Sequence, residues 1–196
     1  MSRGDVLSLV RKERVVGIVR RATARQAHDD ARALLAAGLS VVEISLTTPR
    51  AVDIIARLAR DTPAIGAGTV LSVDEVERVA DAGAGFVVSP ILDFEVVAAA
   101  RRRGLVVIPA ALTPTEMVGA VRAGADLVKV FPASTWTPGA VRDVLAALPD
   151  LQLMPTGGIG RDDAGDWIRA GAVAVGLGSA LDGITPDELG RLLATF

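Results

Sequence analysis

Leu127-Val-Lys-Val-Phe-Pro132 is an apolar run of strand length with one lysine at its centre. The chain has only two lysines, Lys12 and Lys129, and its other basic residues are arginines. A charged group is rarely buried unless it is paired, and burial lowers the pKa of an amine toward its neutral form. Lys129 is therefore either a nucleophile that forms a Schiff base with a carbonyl or a strand-end cation that reaches water.

Seven further Val/Ile-rich runs of similar length accompany this one, and segments with helical spacing alternate with them. The eight runs are Val15–Arg20, Val41–Leu46, Ala64–Thr69, Phe86–Pro90, Val106–Ala110, Leu127–Pro132, Gln152–Thr156 and Val173–Gly178. The helical segments between them start near Thr23, Arg50, Val73, Asp93, Pro114, Pro138, Arg161 and Pro186.

Near-continuous apolar strands that alternate with helices predict a parallel sheet covered by helices. Eight such repeats predict a specific α/β fold, a single closed (β/α)8 TIM barrel. We expect one domain over residues 1–196, with a short N-terminal helix over 1–14 and the barrel over 15–196. An open doubly wound sheet is the alternative, but its glycine-rich turn is missing after the first run, which ends in Val19-Arg20-Arg21.

Several helix boundaries carry explicit signals. Ser or Thr followed three residues later by Glu predicts a capping box, and this pattern occurs at Ser72–Glu75, Thr113–Glu116 and Thr185–Glu188. Glycine after alanine predicts a left-handed residue just beyond a helix end, as at Gly38, Gly83, Gly124 and Gly171.

The composition excludes several classes of function. The net charge of −2, with only two Trp, four Phe and no Tyr, gives no basic or stacking surface for nucleic acid. No apolar run is long enough to span a membrane without interruption, and the N-terminus does not have the form of a signal peptide. With no cysteine and one histidine, His28, thiol catalysis, a Ser-His-Asp relay and an imidazole metal site are disfavoured. We expect a cytoplasmic protein that needs no metal or other cofactor and binds neither nucleic acid nor membrane.

Glu43 is a second charged group inside an apolar run. Val41, Glu43 and Ser45 share one face of the second strand because side chains alternate. The active site of such a barrel lies at the carboxyl ends of the strands, so we expect the Glu43 carboxylate to meet the Lys129 amine there. The other interpretation is a structural ion pair.

Small residues and hydroxyls follow several strands. The third run ends in Gly66-Ala-Gly-Thr69, which leaves room near the barrel mouth. The seventh ends in Pro155-Thr-Gly-Gly158 and the eighth in Gly176-Leu-Gly-Ser179. Backbone N–H groups after strands seven and eight are where such barrels often bind phosphate. Ordinary glycine-containing turns are the alternative.

Taken together, these motifs resemble the class I 2-keto-3-deoxy-6-phosphogluconate (KDPG) and 4-hydroxy-2-oxoglutarate aldolase family. The matching segments, in the family's order, are the Glu43 strand, Ile65–Leu71, Val88–Pro90, Thr113–Glu116, Lys129–Pro132, Pro155–Ile159 and Gly176–Ser179. The resemblance implies a homotrimer in which Lys129 forms the Schiff base and Glu43 transfers protons. It also implies that Thr69 helps hold the pyruvate carboxylate and that the distal phosphate is bound by Thr156, Gly157, Gly158, Gly178 and Ser179.

Two positions depart from the family pattern. Well-known members carry an arginine four residues after the catalytic glutamate, where it binds the pyruvate carboxylate, but this chain has Thr47. We expect Arg20, at the end of the first strand, to bind the carboxylate instead; otherwise it is a surface residue at the rim. The family's glycine after Pro109 is Ala110 here, which would narrow a pocket.

Three hypotheses follow. The first is an aldolase that reversibly cleaves KDPG, or a close analogue such as 2-keto-3-deoxy-6-phosphogalactonate, to pyruvate and glyceraldehyde 3-phosphate. The second is the same chemistry on 4-hydroxy-2-oxoglutarate, for which inorganic phosphate should not compete with substrate. The third, from another class, is a non-catalytic phosphate-binding or structural barrel, in which replacing Lys129 would change only stability.

Overall fold

The computed structural model describes residues 2–62 and 64–196. After α1 (Arg3–Glu13), strands alternate with helices. The strands are β1 (Val15–Val19), β2 (Val42–Ser45), β3 (Ile65–Gly68), β4 (Phe86–Val88), β5 (Val106–Ile108), β6 (Ala110–Ala111), β7 (Val128–Val130), β8 (Leu153–Pro155) and β9 (Val175–Leu177). The helices are α2 (Ala24–Ala36), α3 (Ala51–Leu58), α4 (Val73–Asp81), α5 (Phe94–Arg102), α6 (Pro114–Ala123), α7 (Pro138–Ala147), α8 (Ala164–Arg169) and α9 (Pro186–Leu193), with short 3₁₀ turns at Ala133–Thr135 and Ser179–Leu181.

The strands form two parallel sheets. The larger sheet has six strands in the order β5-β4-β3-β2-β1-β9, and the smaller has three in the order β6-β7-β8. Every pairing within them is parallel. The prediction of a parallel α/β fold with a curled sheet covered by helices is confirmed.

The fifth predicted run is not one continuous strand, which corrects the sequence interpretation. It is divided at Pro109 into β5, which pairs with β4, and β6, which pairs with β7. Proline has no N–H to donate to a ladder, so the regular ladder is interrupted at this residue. The Pro109 carbonyl still accepts a bond of 2.9 Å from the Lys129 N–H.

Hydrogen bonds link the two sheets on both sides. Thr156, just after β8, forms an isolated parallel bridge with Gly176 of β9. The N–H of Val173 donates to the carbonyl of Leu153 at 2.9 Å. On the other side, the N–H of Asp126, just before β7, donates to the carbonyl of Val107 in β5 at 3.0 Å.

The buried apolar residues form two clusters. The larger lies between the sheets and the helices. The smaller, which we call the inner cluster, contains residues in or just before the strands, such as Val41, Phe86 and Leu127, and is joined by Val6 and Val10 of α1. Along β2 and β7 the buried polar groups Glu43 and Lys129 come two residues after inner-cluster members, toward the carboxyl ends of the strands. The inner cluster therefore lies next to the two buried polar groups, toward the amino ends of the strands.

Most predicted helix boundaries are confirmed. Thr113 and Thr185 each form a complete capping box with the glutamate three residues later. At Ser72 only half of the box forms, because the Glu75 carboxylate accepts from the Leu71 N–H at 2.6 Å instead. Helix α8 starts at Ala164, later than the expected start near Arg161, since a turn comes first. The glycines that follow four of the helices, at positions 38, 83, 124 and 171, have the expected positive φ. Within the part of the chain described, no helix is long and apolar enough to cross a bilayer.

Candidate active site

Lys129 lies in the middle of β7, and only 5% of it is exposed. Its Nζ is 4.5 Å from the centre of the Phe131 ring, which projects from the same face of the chain two residues later. Burial lowers the pKa of the Lys129 amine, the charge of Glu43 partly opposes this, and the charge of Arg20 lowers it further. The fold therefore favours the neutral, nucleophilic form of the amine.

Glu43 lies on β2 and is 1% exposed. Burial raises the pKa of its carboxyl group, and the nearby charges of Lys129 and Arg20 partly offset this effect. Within residues 2–62 and 64–196, its Oε2 atom has no hydrogen-bond partner. A buried polar atom without a partner is costly, so this oxygen calls for an explanation beyond packing.

The glycines of β3 accommodate neighbouring side chains. A Cβ atom on Gly68 would lie 1.6 Å from Oε1 of Glu43, and one on Gly66 would lie 2.4 Å from the Phe86 ring. The small residues at this strand end therefore make room for the Glu43 carboxylate and a core aromatic ring. The sequence pattern predicts open space at the mouth of the barrel instead.

A cavity of about 630 Å³ opens beside Lys129. Seven of the nine predicted site residues line it, namely Lys129, Arg20, Thr156, Gly157, Gly158, Gly178 and Ser179. Glu43 and Thr69 are not among the lining residues. Glu43 is nevertheless close enough to Lys129 for each charge to shift the pKa of the other.

Thr69 belongs to a small cluster of hydroxyl groups. The Ser45 hydroxyl lies 3.0 Å from that of Thr69 and 2.9 Å from that of Thr47. Thr69 has a φ of +62°, an uncommon conformation for a β-branched residue. The position where well-known family members carry arginine thus holds a hydroxyl directed at Ser45. Sequence analysis placed Ser45 on the face of Glu43 but gave it no role.

The five residues predicted to bind phosphate all line the cavity. Thr156, Gly157 and Gly158 follow β8, whereas Gly178 follows β9 and Ser179 begins the 3₁₀ turn. Gly157 and Gly158 have φ values of +94° and +82°. A Cβ atom on Gly158 would lie 3.0 Å from the Cβ of Ser134, so the loop packs closely on the chain after β7. The N–H of Ser134 also donates to the Gly157 carbonyl at 3.0 Å.

Arg20 and Arg21 follow β1 and both line the cavity, yet their surroundings differ. Arg20 is exposed. Arg21 forms ion pairs with Asp30 of α2 and with Asp182. The sequence pattern does not distinguish Arg21 from Arg20, because the two arginines are adjacent at the strand end. Among the described residues, no group of three or more His, Asp or Glu side chains is arranged to hold a metal ion.

Comparison with known proteins gives consistent relatives. The chain is 36% identical over 171 residues to the probable 2-dehydro-3-deoxy-6-phosphogalactonate aldolase of Rhizobium meliloti (strain 1021), covering 85% of this chain and 81% of the relative. It is 34% identical over 171 residues to the 2-dehydro-3-deoxy-6-phosphogalactonate aldolase of Escherichia coli (strain K12), covering 85% and 83%. It is 32% identical over 161 residues to the 2-dehydro-3-deoxy-phosphogluconate aldolase of Pseudoalteromonas atlantica (strain T6c / ATCC BAA-1087), covering 81% and 74%.

Two solved structures are also similar. The KDPG aldolase of Legionella pneumophila, with pyruvate captured as a covalent carbinolamine intermediate, superimposes with a TM-score of 0.78 at 25% identity, covering 97% of this chain and 94% of that one. A cube-shaped protein cage designed by fusing symmetric oligomeric domains has a TM-score of 0.81 at 32% identity, covering 93% and 70%.

The matching region covers most of the chain, since residues 6–188 fit the model of the family described as KDPG and KHG aldolase. The buried amine and carboxylate lie within this region, as do all the residues that line the cavity. The chain belongs to the KDPG and KHG aldolase family and is a class I aldolase.

Proposed function

We propose that this aldolase reversibly cleaves KDPG to pyruvate and glyceraldehyde 3-phosphate through a Schiff base on Lys129. One observation carries the proposal: a buried amine of lowered pKa is close to a buried carboxyl group of raised pKa whose Oε2 is unpartnered in the described chain. A structural ion pair would instead saturate the hydrogen bonds of both groups.

The reaction begins with attack of the neutral Lys129 amine on the C2 carbonyl of the keto acid. The resulting carbinolamine loses water and becomes a protonated imine. The bond between C3 and C4 then breaks, its electron pair moves toward the imine to form an enamine, and the C4 hydroxyl gives its proton to Glu43 as the aldehyde leaves. Glu43 returns a proton to C3 of the enamine, and water hydrolyses the imine to release pyruvate.

Glu43 can fill both roles because of where it lies. As a carboxylate it accepts the C4 hydroxyl proton, and as an acid it donates, which requires a pKa nearer neutrality. Burial raises its pKa in that direction. The Phe131 ring, 4.5 Å from Nζ, limits water around the amine and tolerates the cationic imine at the same position.

We call the side of the cavity near Lys129 the keto-acid end. Arg20 is our candidate for binding the pyruvate carboxylate there, since it lines the cavity and its charge acts on both Lys129 and Glu43. Thr69 is a candidate for the same group, although a substrate atom would have to share or displace its contact with Ser45.

We call the opposite side the phosphate end. There the substrate phosphate would be held by backbone N–H groups and hydroxyls from Thr156, Gly157, Gly158, Gly178 and Ser179. Gly157 and Gly158 support this assignment because both line the cavity and have no side chain, so an anion can approach the backbone there closely.

Two other substrates remain as candidates. 2-Keto-3-deoxy-6-phosphogalactonate is supported by the names of the two relatives at 36% and 34% identity. 4-Hydroxy-2-oxoglutarate is supported by the family description, which includes KHG. The first differs from KDPG in stereochemistry and the second lacks a phosphate, so competition by inorganic phosphate separates the second from the other two.

We infer that the two sheets form one closed eight-position barrel, in a single domain over residues 1–196. Support comes from β5 and β6 sharing one strand position across Pro109, and from the bridge between Thr156 and Gly176 beside the other edge.

We also propose a cytoplasmic homotrimer. Four large apolar side chains that follow neighbouring strands are between 41% and 60% exposed, namely Leu71, Ile91, Phe94 and Leu112, and clustered exposed apolar groups favour an interface. The symmetric oligomeric domains of the similar protein cage support assembly in general. Light scattering on the wild type and on Phe94→Glu tests it, since a trimer through this surface should dissociate.

The experiment that tests the proposed function is borohydride trapping with pyruvate, read by intact mass and peptide mapping. A reduced pyruvate adduct on Lys129 supports the Schiff base, and pyruvate release from each of the three keto acids then identifies the substrate. Folded protein that forms no adduct at neutral to mildly alkaline pH would instead indicate a non-catalytic barrel.

A further inference from the structure

Two arginines hold the segment Gly178–Asp182 from different sides. Arg161, in the loop after β8, donates from its guanidinium to the backbone carbonyl of Ala180 and, at 2.9 Å, to that of Asp182. Arg21, after β1, pairs with the Asp182 carboxylate. The segment is thus tied both to the other loop of the phosphate end and to the end of the first strand.

The segment is short and has little other support. Its 3₁₀ turn is closed by a bond of 2.9 Å from the Leu181 N–H to the Gly178 carbonyl and one of 3.1 Å from the Asp182 N–H to the Ser179 carbonyl. The Leu181 side chain is buried, but Ser179 is exposed. Because peptide units are planar, anchoring a carbonyl also orients the N–H on the same unit. The Ala180 carbonyl shares its peptide unit with the Leu181 N–H, which donates to the Gly178 carbonyl. The Gly178 carbonyl in turn shares its unit with the Ser179 N–H, so the contact of Arg161 with Ala180 helps orient the Ser179 N–H through two linked peptide units.

We propose that Arg161 is a positioning residue that orients the peptide unit between Gly178 and Ser179 for the phosphate of the substrate. Arg161 does not line the cavity, and its side chain is 34% exposed, so it acts through the segment and makes no contact with the ligand. Its third contact, 3.7 Å to Glu188, fixes it to the capping residue of α9. This inference rests on the proposed function, because it takes this end of the cavity to bind phosphate.

A general electrostatic effect is the competing explanation, since any arginine near the site attracts an anion. Arg161→Lys separates the two, because lysine keeps the charge but lacks the planar fork that reaches two carbonyls together. Arg169→Ala is the matched control. Arg169 lies on α8 near the same surface, is 64% exposed, and pairs with Asp166 inside its own helix.

The experiment compares wild type, Arg161→Ala, Arg161→Lys and Arg169→Ala with KDPG and with 4-hydroxy-2-oxoglutarate, followed by pyruvate release. We expect Arg161→Ala to raise KM for KDPG about tenfold, the effect of losing a charge-assisted hydrogen bond, with kcat nearly unchanged. KM for 4-hydroxy-2-oxoglutarate and the rate of pyruvate trapping on Lys129 should not change. Arg161→Lys should recover less than half of the loss, and Arg169→Ala should match the wild type.

Calorimetric titration with inorganic phosphate provides a second, independent measurement. The affinity for phosphate should fall in Arg161→Ala in parallel with the rise in KM. If the alanine variant does not fold, the fall in affinity is measured in Arg161→Lys instead. The inference would be overturned if Arg161→Ala raised KM equally for both substrates. It would also be overturned if Arg161→Lys had the KM of the wild type, or if phosphate affinity did not change. A wild type that binds phosphate but cleaves no keto acid would overturn the proposed function and leave the positioning role measurable by titration.

Discussion

Where we propose that the keto acid reacts, the groups assigned to the chemistry are side chains, Lys129 and Glu43, whose exposed fractions are 5% and 1%. At the phosphate end they are glycine turns and hydroxyls that are partly open to solvent, including Gly157, Gly158 and Ser179. Burial changes the pKa values of an amine and a carboxyl group, which covalent and proton-transfer chemistry requires. Binding a phosphate requires only that N–H groups be correctly oriented.

The two ends should therefore respond differently to mutation. Changes at the keto-acid end should lower kcat for every substrate. Changes at the phosphate end should raise KM and only for substrates that carry a phosphate. The predictions below test this separation.

The largest effect is expected for Lys129→Ala, because it removes the nucleophile. We expect kcat to fall by about 10³-fold or more and the borohydride-trapped pyruvate adduct to disappear. Lys12→Ala is the control, since Lys12 is exposed on α1 and is the only other lysine. Appreciable turnover in the Lys129 variant would mean that the reaction does not pass through this amine.

Glu43→Gln should have the next largest effect, since it keeps the shape of the side chain but removes proton transfer. We expect kcat to fall about 10²-fold or more on both KDPG and 4-hydroxy-2-oxoglutarate, within the range for loss of a general acid or base. Glu95→Gln, at an exposed position in the first turn of α5, serves as the control. A variant with full kcat would limit Glu43 to a structural role.

At the phosphate end, Gly158→Ala should have a smaller and more selective effect. The added Cβ would face Ser134 at 3.0 Å in a backbone with a φ of +82°, so the loop must move. We expect KM for KDPG to rise about tenfold, with little change for 4-hydroxy-2-oxoglutarate. Gly104→Ala, also at positive φ but with open space around its Cβ, controls for backbone strain alone. An equal rise in KM for both substrates would show that mutations at the two ends do not have separate effects.

The smallest effect is a shift in the pH dependence of adduct formation. Only the neutral amine reacts, so the rate should fall as pH falls through the pKa of Lys129, which burial lowers. The Glu43 charge raises that pKa, so Glu43→Gln should move this acid limb to lower pH.

The Arg20 charge lowers the same pKa, so Arg20→Ala should move the acid limb to higher pH. Trapping rates at saturating pyruvate across the pH range measure both shifts. Shifts of the same sign in the two variants would contradict the arrangement of charges described here.

Much of the candidate site could be proposed from the sequence because periodicity assigns residues to faces. The alternation of apolar runs and helical segments predicted the parallel sheet, and a charge inside each of two apolar runs identified Lys129 and Glu43. Capping signals located most helix starts, since they depend only on bonds between residues three apart.

Other features depended on contacts between residues distant in sequence. The position of the Glu43 carboxylate over Gly68 follows from the register of β2 against β3, which the composition of neither strand encodes. The same holds for the cluster of Ser45 with Thr69 and for the division of the fifth run at Pro109.

By itself, then, the sequence of this aldolase determined the fold class, the two catalytic candidates and the glycine turns, because each leaves a local pattern of spacing or composition. Only the tertiary structure decided that Arg20 is exposed at the cavity while Arg21 pairs with Asp30 and Asp182, and that Arg161 reaches the neighbouring loop. The physical reason is that hydrogen bonds and ion pairs between distant segments depend on how helices pack on strands, and this packing is not visible in the order of residues along one segment.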